Sequence, residues 1–215
     1  MTQIKHAINE EYKSEVFLMD CMEGMRRYDD NYFDLAVVDP PYGLGKATTD
    51  GGCNKNSQVR FKNHEWDNQI PSAEYFIELK RVSKNQIIWG GNYMANYIGN
   101  TKCILIWDKM TYIPTMSQFE FAFCSFNKHP KMVKVNSTDI DRMHPTQKPI
   151  QLYDWIFGKY SEQGQKILDT HLGSQSSRIS ANKNKLHFTG FELDPDYFRD
   201  GNKRYEDHVS QLTLF

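Results

Sequence analysis

Leu35-Ala36-Val37-Val38-Asp39-Pro40-Pro41-Tyr42 is the stretch that decides how this chain folds. Four apolar residues followed at once by an acid and two prolines read as a short buried strand that ends on a stiff turn. The prolines fix φ at two successive positions. The strand therefore delivers a carboxylate (Asp39), a rigidly held carbonyl (Pro40) and an aromatic ring (Tyr42) to one place. An acid-capped turn at a strand end has the same appearance in isolation, so its weight depends on what the rest of the chain sets around it.

Working outward, Val16 to Met19 reads as a strand ending at Asp20, and Met22 to Tyr28 as one or two helical turns. Residues 43–68 are rich in Gly, Asn, Lys and Asp with no sustained period. They read as a long mobile loop that could close over a bound group. Tyr75, Phe76, Leu79 and Val82 have helical spacing, and Ser72 stands where an N-cap belongs. Strand Gln86 to Trp89 stops at Gly90-Gly91, a short helix is placed near Tyr93 to Ile98, and Cys103 to Trp107 and Phe119 to Phe126 read as strands. After an irregular 127–149 come helix Ile150 to Tyr160, strand Lys166 to Asp169, a Gly-Ser loop, helix Ser176 to Lys183 and strand Phe188 to Glu192. Strands alternating with helices predict an α/β fold, a mostly parallel sheet with helices on both faces. With 215 residues, 39% of them hydrophobic, a single domain spanning 1–215 is expected.

Lys and Arg number 26 against 27 Asp and Glu, for a net charge of -1, so a nucleic-acid-binding face would have to be local. Cys21, Cys53, Cys103 and Cys124 form no CxxC pair, which argues against a zinc site or a disulfide framework and fits a reducing cytoplasm. No metal site is expected. Met1 to Glu15 is polar without a signal core, and nowhere do about 18 apolar residues run together. The expectation is a soluble cytoplasmic protein.

A second chemical element is Asp169-Thr170-His171-Leu172-Gly173-Ser174, which follows a strand and precedes a helix. That arrangement holds nucleotide-like cofactors at the carboxyl ends of parallel strands. Glu192 ends the next strand, about 20 residues on, where an acid can accept hydrogen bonds from both ribose hydroxyls. Asp20 could meet the adenine end in the same way.

Taken together, the chain resembles the DNA N4/N6 methyltransferases of the permuted, beta-type motif order. The resemblance covers nearly all of it: Asp20-Cys21-Met22-Glu23-Gly24-Met25, Phe33-Asp34-Leu35 through Asp39-Pro40-Pro41-Tyr42-Gly43, Ile87-Ile88-Trp89-Gly90-Gly91-Asn92-Tyr93, Ile106-Trp107-Asp108-Lys109, His144-Pro145-Thr146-Gln147-Lys148-Pro149, then Ile167 to Ser174. The layout with Asn63-His64-Glu65-Trp66 looks most like small adenine methylases of phages and mobile elements.

The resemblance implies a Rossmann-like fold dependent on S-adenosylmethionine, with a circularly permuted motif order. It implies that Asp39, Pro40, Pro41 and Tyr42 hold the target base, that Asp20, Asp169, Gly173, Ser174 and Glu192 surround the cofactor, and that His144, Thr146 and Lys148 lie near its methionine end. The implied reaction is methyl transfer to adenine N6 in double-stranded DNA. An exocyclic amine is a poor nucleophile because its lone pair is delocalised into the ring. A carboxylate and a fixed carbonyl that each accept one amine hydrogen favour a tetrahedral nitrogen, while an aromatic ring can stack on an extruded base. Cytosine N4 methylation uses the same chemistry and stays open, as does a DNA-binding homologue without turnover. C5 methylation needs a nucleophilic cysteine, typically after proline, and no cysteine here follows one.

One departure stands out. The family's loop usually reads Gly-Ser-Gly, whereas this chain has Gly173-Ser174-Gln175. If position 175 requires φ > 0, glutamine there costs about 1 kcal/mol and could crowd the cofactor. Residues 127–149, with Lys128, Lys131, Lys134, Arg142 and Lys148, are the candidate DNA-contacting segment. Gln211-Leu212-Thr213-Leu214-Phe215 resembles the peptide by which bacterial proteins dock on the DNA sliding clamp. That clamp and a second copy of the chain, in a homodimer, complete the candidate partners.

Overall fold

A computed structural model of the chain describes residues 2–7, 12–44, 69–111, 117–137 and 147–212. Nine strands form one sheet: β1 (Thr2–Ala7), β2 (Lys13–Leu18), β3 (Phe33–Val38), β4 (Ser83–Trp89), β5 (Cys103–Asp108), β6 (Phe119–Cys124), β7 (Lys131–Lys134), β8 (Lys166–Asp169) and β9 (His187–Glu192). Their order across the sheet is β1-β2-β9-β8-β3-β4-β6-β5-β7. The pairs β2–β9, β9–β8, β8–β3, β3–β4 and β5–β7 are parallel, and β1 and β6 run against their neighbours.

Strand β3 lies at the centre, and its apolar run is explained by burial on both faces. Leu35 and Val37 join a core shared with α4 (Ile150–Tyr160), α5 (Ser176–Lys183) and α6 (Pro195–Leu212), through Leu152, Ile156, Ala181 and Phe198. Ala36 and Val38 point the other way, to α1 (Cys21–Met25) and α2 (Ala73–Val82), where Met25, Phe76 and Leu79 are buried. The alternation is the period of two that a strand imposes. Burying each larger apolar side chain stabilises the fold by roughly 1.5–3 kcal/mol. Beyond β4, a 3-10 turn (Gly91–Tyr93) and the single-turn α3 (Ala95–Ile98) lead into β5.

Several elements differ from the sequence reading. The irregular 127–149 contains β7, whose single buried residue, Val133, sits between exposed neighbours. Strand β1 occupies the polar N-terminal stretch. Helix α6 has 18 residues and was not anticipated, although Asp194 caps it, accepting from Asp196 N and Tyr197 N, and Pro195 opens it. Helix α2 starts after Ser72 as expected, but the Ser72 side chain makes no capping bond. Most of 43–68, all of 138–146 and the tail 213–215 lie outside the described residues, so the expected closing loop and the tail motif beyond Leu212 do too. No helix among the described residues is long and apolar enough to cross a membrane.

After β3 the chain turns to β4 on one side, and after β8 it turns to β9 on the other. The β3/β8 boundary is therefore a point where the winding reverses, and in open α/β sheets a ligand crevice forms beyond the carboxyl ends of such strands. Asp39 and Asp169 stand at those two ends.

Candidate functional site

A cleft of about 490 Å³ lies there, within the usual range for small-molecule sites. Asp20, Asp39, Pro41, Lys148, Gly173, Ser174 and Glu192 contribute to its walls. The two halves singled out in the sequence thus meet in one cavity.

Asp39 and Pro41, on the turn after β3, both reach it. Asp39 Oδ1 accepts a hydrogen bond from the Tyr42 hydroxyl at 2.5 Å and Oδ2 one from Lys148 Nζ at 2.6 Å. Burial pushes the Asp39 carboxyl above its ordinary range, and the ammonium of Lys148 opposes that rise. Pro40 is buried behind it. The Tyr42 ring stacks on Tyr93, with centroids 5.3 Å apart and planes at 21°, and leans on Gly90. Gly90 has φ of +66°, and a Cβ there would stand 2.2 Å from Tyr42 Cε1. Glycine is thus needed at 90 for its backbone and for the ring beside it.

The Gly-Ser loop is held from below and from the side. Asp169, 2% exposed, sits beneath it and off the cleft surface, accepting from Ser177 Oγ at 2.5 Å and His171 N at 3.1 Å. Burial raises its carboxyl to about 7. Glu192 clamps the loop across the cleft: Oε2 accepts from Gly173 N at 2.8 Å, and Oε1 from Leu193 N and Asp194 N at 2.9 Å. Asp20 lines the cleft while its Oδ1 caps α1, accepting from Met22 N and Glu23 N. His144 and Thr146 lie outside the described residues.

Gln175 does adopt the left-handed conformation, with φ of +57°. Its side chain, however, turns under the loop rather than into the cleft. Gln175 is fully buried, its Oε1 accepts from Arg178 Nη1 at 2.8 Å, and it fills space that a Cβ on Gly201 of α6 would invade at 2.8 Å from its Cγ. The mid-helix glycine of α6 makes room for it. The expected crowding of the cleft is therefore absent from the geometry, while the backbone strain is present.

Thr170 and His171 line the cleft, while Tyr75 and Glu120 stand behind its walls, and the sequence reading gave none of the four a role. Tyr75 and Thr170 hydroxyls stand 2.6 Å apart and Thr170 Oγ1 is 2.9 Å from His171 Nδ1. Burial pushes the His171 imidazole down to about 4, so it is neutral near pH 7. Glu120, on β6, is within 3.0 Å of Lys148 Nζ and 2.6 Å of Lys109 Nζ. The one signal for it was an acid set among the phenylalanines of a strand. Among the described residues, four carboxylates, Asp20, Asp39, Glu192 and Asp194, face the cleft against one ammonium, Lys148. That surplus suits a cationic ligand carrying hydroxyl groups.

The family model described as DNA methylase, with N6 and N4 members, matches residues 88–203, more than half of the chain. The type II methyltransferase M2.MboI of Moraxella bovis is 26% identical, over 89% of this chain and 87% of that protein. The type II methyltransferase M.HpaI of Haemophilus parainfluenzae is 23% identical, over 89% and 74%. Among solved structures, the cytosine-N4-specific PvuII DNA methyltransferase superposes with a TM-score of 0.62 at 11% identity, covering 92% of both chains. The complex of M1.HpyAVI with S-adenosylmethionine superposes at 0.57 and 16% identity, covering 88% of this chain and 97% of that one.

Proposed function

The chain belongs to the N6/N4 DNA methylase family, and from that premise we propose that it methylates adenine N6 in double-stranded DNA. The observation that carries this reading is that Asp39 shares one cleft with Asp20, Gly173 and Glu192. The cleft fits S-adenosylmethionine: its surplus of carboxylates suits the positive sulfonium and ammonium, and Asp20 and Glu192 can accept from hydroxyls. Bound there, the cofactor supplies a methyl group on a sulfonium that leaves as a neutral thioether.

The chain's own residues prepare the amine. Asp39 accepts one N6 hydrogen and the Pro40 carbonyl the other, which localises the lone pair on nitrogen. That pair would then be the acceptor for the methyl group, and the one amine hydrogen it replaces would leave as a proton from the Asp39 hydrogen bond to solvent. Tyr42, stacked on Tyr93, supplies an aromatic face beside Asp39 for the extruded base. Lys131 and Lys134, the first and last residues of β7, and Lys128 ahead of it are candidate phosphate contacts. The family resemblance supports adenine over cytosine, since the motif Asp39-Pro40-Pro41-Tyr42 has aspartate rather than serine at its head.

The test is direct. Purified protein, S-adenosylmethionine and duplex DNA are incubated, and the digested nucleosides are separated by mass spectrometry beside an Asp39→Ala control. N6-methyladenine from the wild type alone is the expected product. N4-methylcytosine would overturn the adenine assignment, and no calorimetric binding at millimolar cofactor would overturn the enzyme reading.

A further inference from the structure

The buried charges behind Asp39 do not stop at Lys148. Lys148 Nζ stands 2.6 Å from Asp39 Oδ2 and 3.0 Å from Glu120 Oε2, and Lys109 Nζ stands 2.6 Å from Glu120 Oε1. Read in order, Asp39, Lys148, Glu120 and Lys109 alternate in sign and sum to zero. The Lys148 side chain is only 3% exposed, so solvent screens its pairs weakly. Neither Glu120 nor Lys109 lines the cleft.

We propose that Glu120 and Lys109 are positioning residues that set the charge state of Asp39 through Lys148. The inference rests on Asp39 being the group that accepts the amine hydrogen. One ammonium serves two carboxylates, so what Glu120 takes of it Asp39 loses. Among the described residues, Glu120 has two lysines and Asp39 has a share in one. The ionisation follows that asymmetry: burial works against both carboxylates, yet the two lysines hold Glu120 at about 2, while Asp39 stays raised. A raised carboxyl is the stronger acceptor for an amine hydrogen, provided that it remains ionised.

The other groups facing Asp39 do not account for such a balance. Tyr42, Tyr75 and Tyr153 are pushed well up by burial and stay neutral. Asp169 titrates near 7 beneath the loop, but it is common to every variant compared below.

Two substitutions push in opposite directions. Glu120→Gln leaves Lys148 wholly to Asp39, which then keeps its charge to lower pH. Lys109→Met keeps the apolar stem over Trp107, where Nζ lies 5.4 Å from the ring, but frees Glu120 to draw Lys148 away. Single-turnover methyl transfer to duplex DNA is measured from about pH 5 to 9. Glu120→Gln should move the acidic limb down by about one pH unit and lower the plateau, and Lys109→Met should move the limb up by about as much. Cofactor affinity by calorimetry should change less than about threefold in either, since neither residue lines the cleft. A wild-type limb that neither variant moves, or that both move the same way, overturns the inference. If Glu120→Gln does not fold, the direction of the Lys109→Met shift decides alone. A wild type without transfer at any pH fails differently, because it removes the reading on which the inference stands.

Discussion

Gln175 Oε1 and Arg178 Nη1 are joined by a 2.8 Å hydrogen bond under the Gly-Ser loop, off the surface of the cleft. Arg178 is fully buried, donates also to Ser14 Oγ and Asn202 Oδ1, and lies 3.7 Å over the Tyr205 ring. A residue that strains the loop backbone is thereby tied into the layer that supports it.

The first prediction separates strain from crowding. Gln175→Ala and Gln175→Gly both remove the Arg178 contact, but only alanine keeps the cost of φ at +57°. The glycine variant should be the more stable of the two by about 1 kcal/mol in urea unfolding. Both should bind S-adenosylmethionine within about threefold of the wild type, because the lost side chain does not line the cleft. Affinity rising tenfold in the glycine variant would mean that Gln175 does obstruct the cofactor.

How much of this was legible follows from burial. Strand β3 was readable because a central strand covered on both faces must be apolar throughout. Edge strand β7 was not, since only Val133 of its four residues is buried. Asp39, Gly173 and Glu192 converge as strand ends do in any parallel sheet, so order in the sequence sufficed to place them together. Lys148 against Asp39 was beyond reach, as 109 residues separate them and the contact depends on how α4 is hung on the sheet. Glu120 was hidden for the same reason: β6 runs antiparallel between β4 and β5, and only that insertion aims its carboxylate at Lys148.

A second prediction concerns Gly90. Alanine at φ +66° is strained, and its Cβ would have to displace the Tyr42 ring from 2.2 Å. Tyr42 in turn carries the hydroxyl that fixes Asp39 Oδ1. Gly90→Ala should therefore lower single-turnover transfer by about a hundredfold, in line with a misplacement of about 1 Å, while calorimetric cofactor affinity is kept. Transfer within about threefold of the wild type would show that the Tyr42 position does not matter.

Glu192 yields a third. Its three backbone bonds hold Gly173 and the start of α6 at the cleft. Glu192→Ala breaks all of them and removes the carboxylate, so cofactor affinity should fall by more than about tenfold, the loss of one charge-assisted hydrogen bond. Glu192→Gln keeps the shape and one acceptor oxygen and should fall in between. Equal affinities for all three proteins would place the cofactor elsewhere.

The last prediction uses pH. Asp169 titrates at about 7 in the folded chain because burial disfavours its charge, against about 3.9 when unfolded. Between those values the folded state binds more protons than the unfolded one, so stability falls as pH rises. The contribution is fully present below about pH 4 and is lost as pH passes through about 7. Asp169→Asn removes the titration and can still accept from one of the two donors, Ser177 Oγ or His171 N. The difference in unfolding free energy between wild type and variant, from urea titrations at about pH 5.5 and 8, should shift by about 2 kcal/mol against the wild type at the higher pH. A difference that is flat with pH, or that favours the wild type on going alkaline, would mean that Asp169 is ionised throughout and that Ser177 and His171 N outweigh its burial.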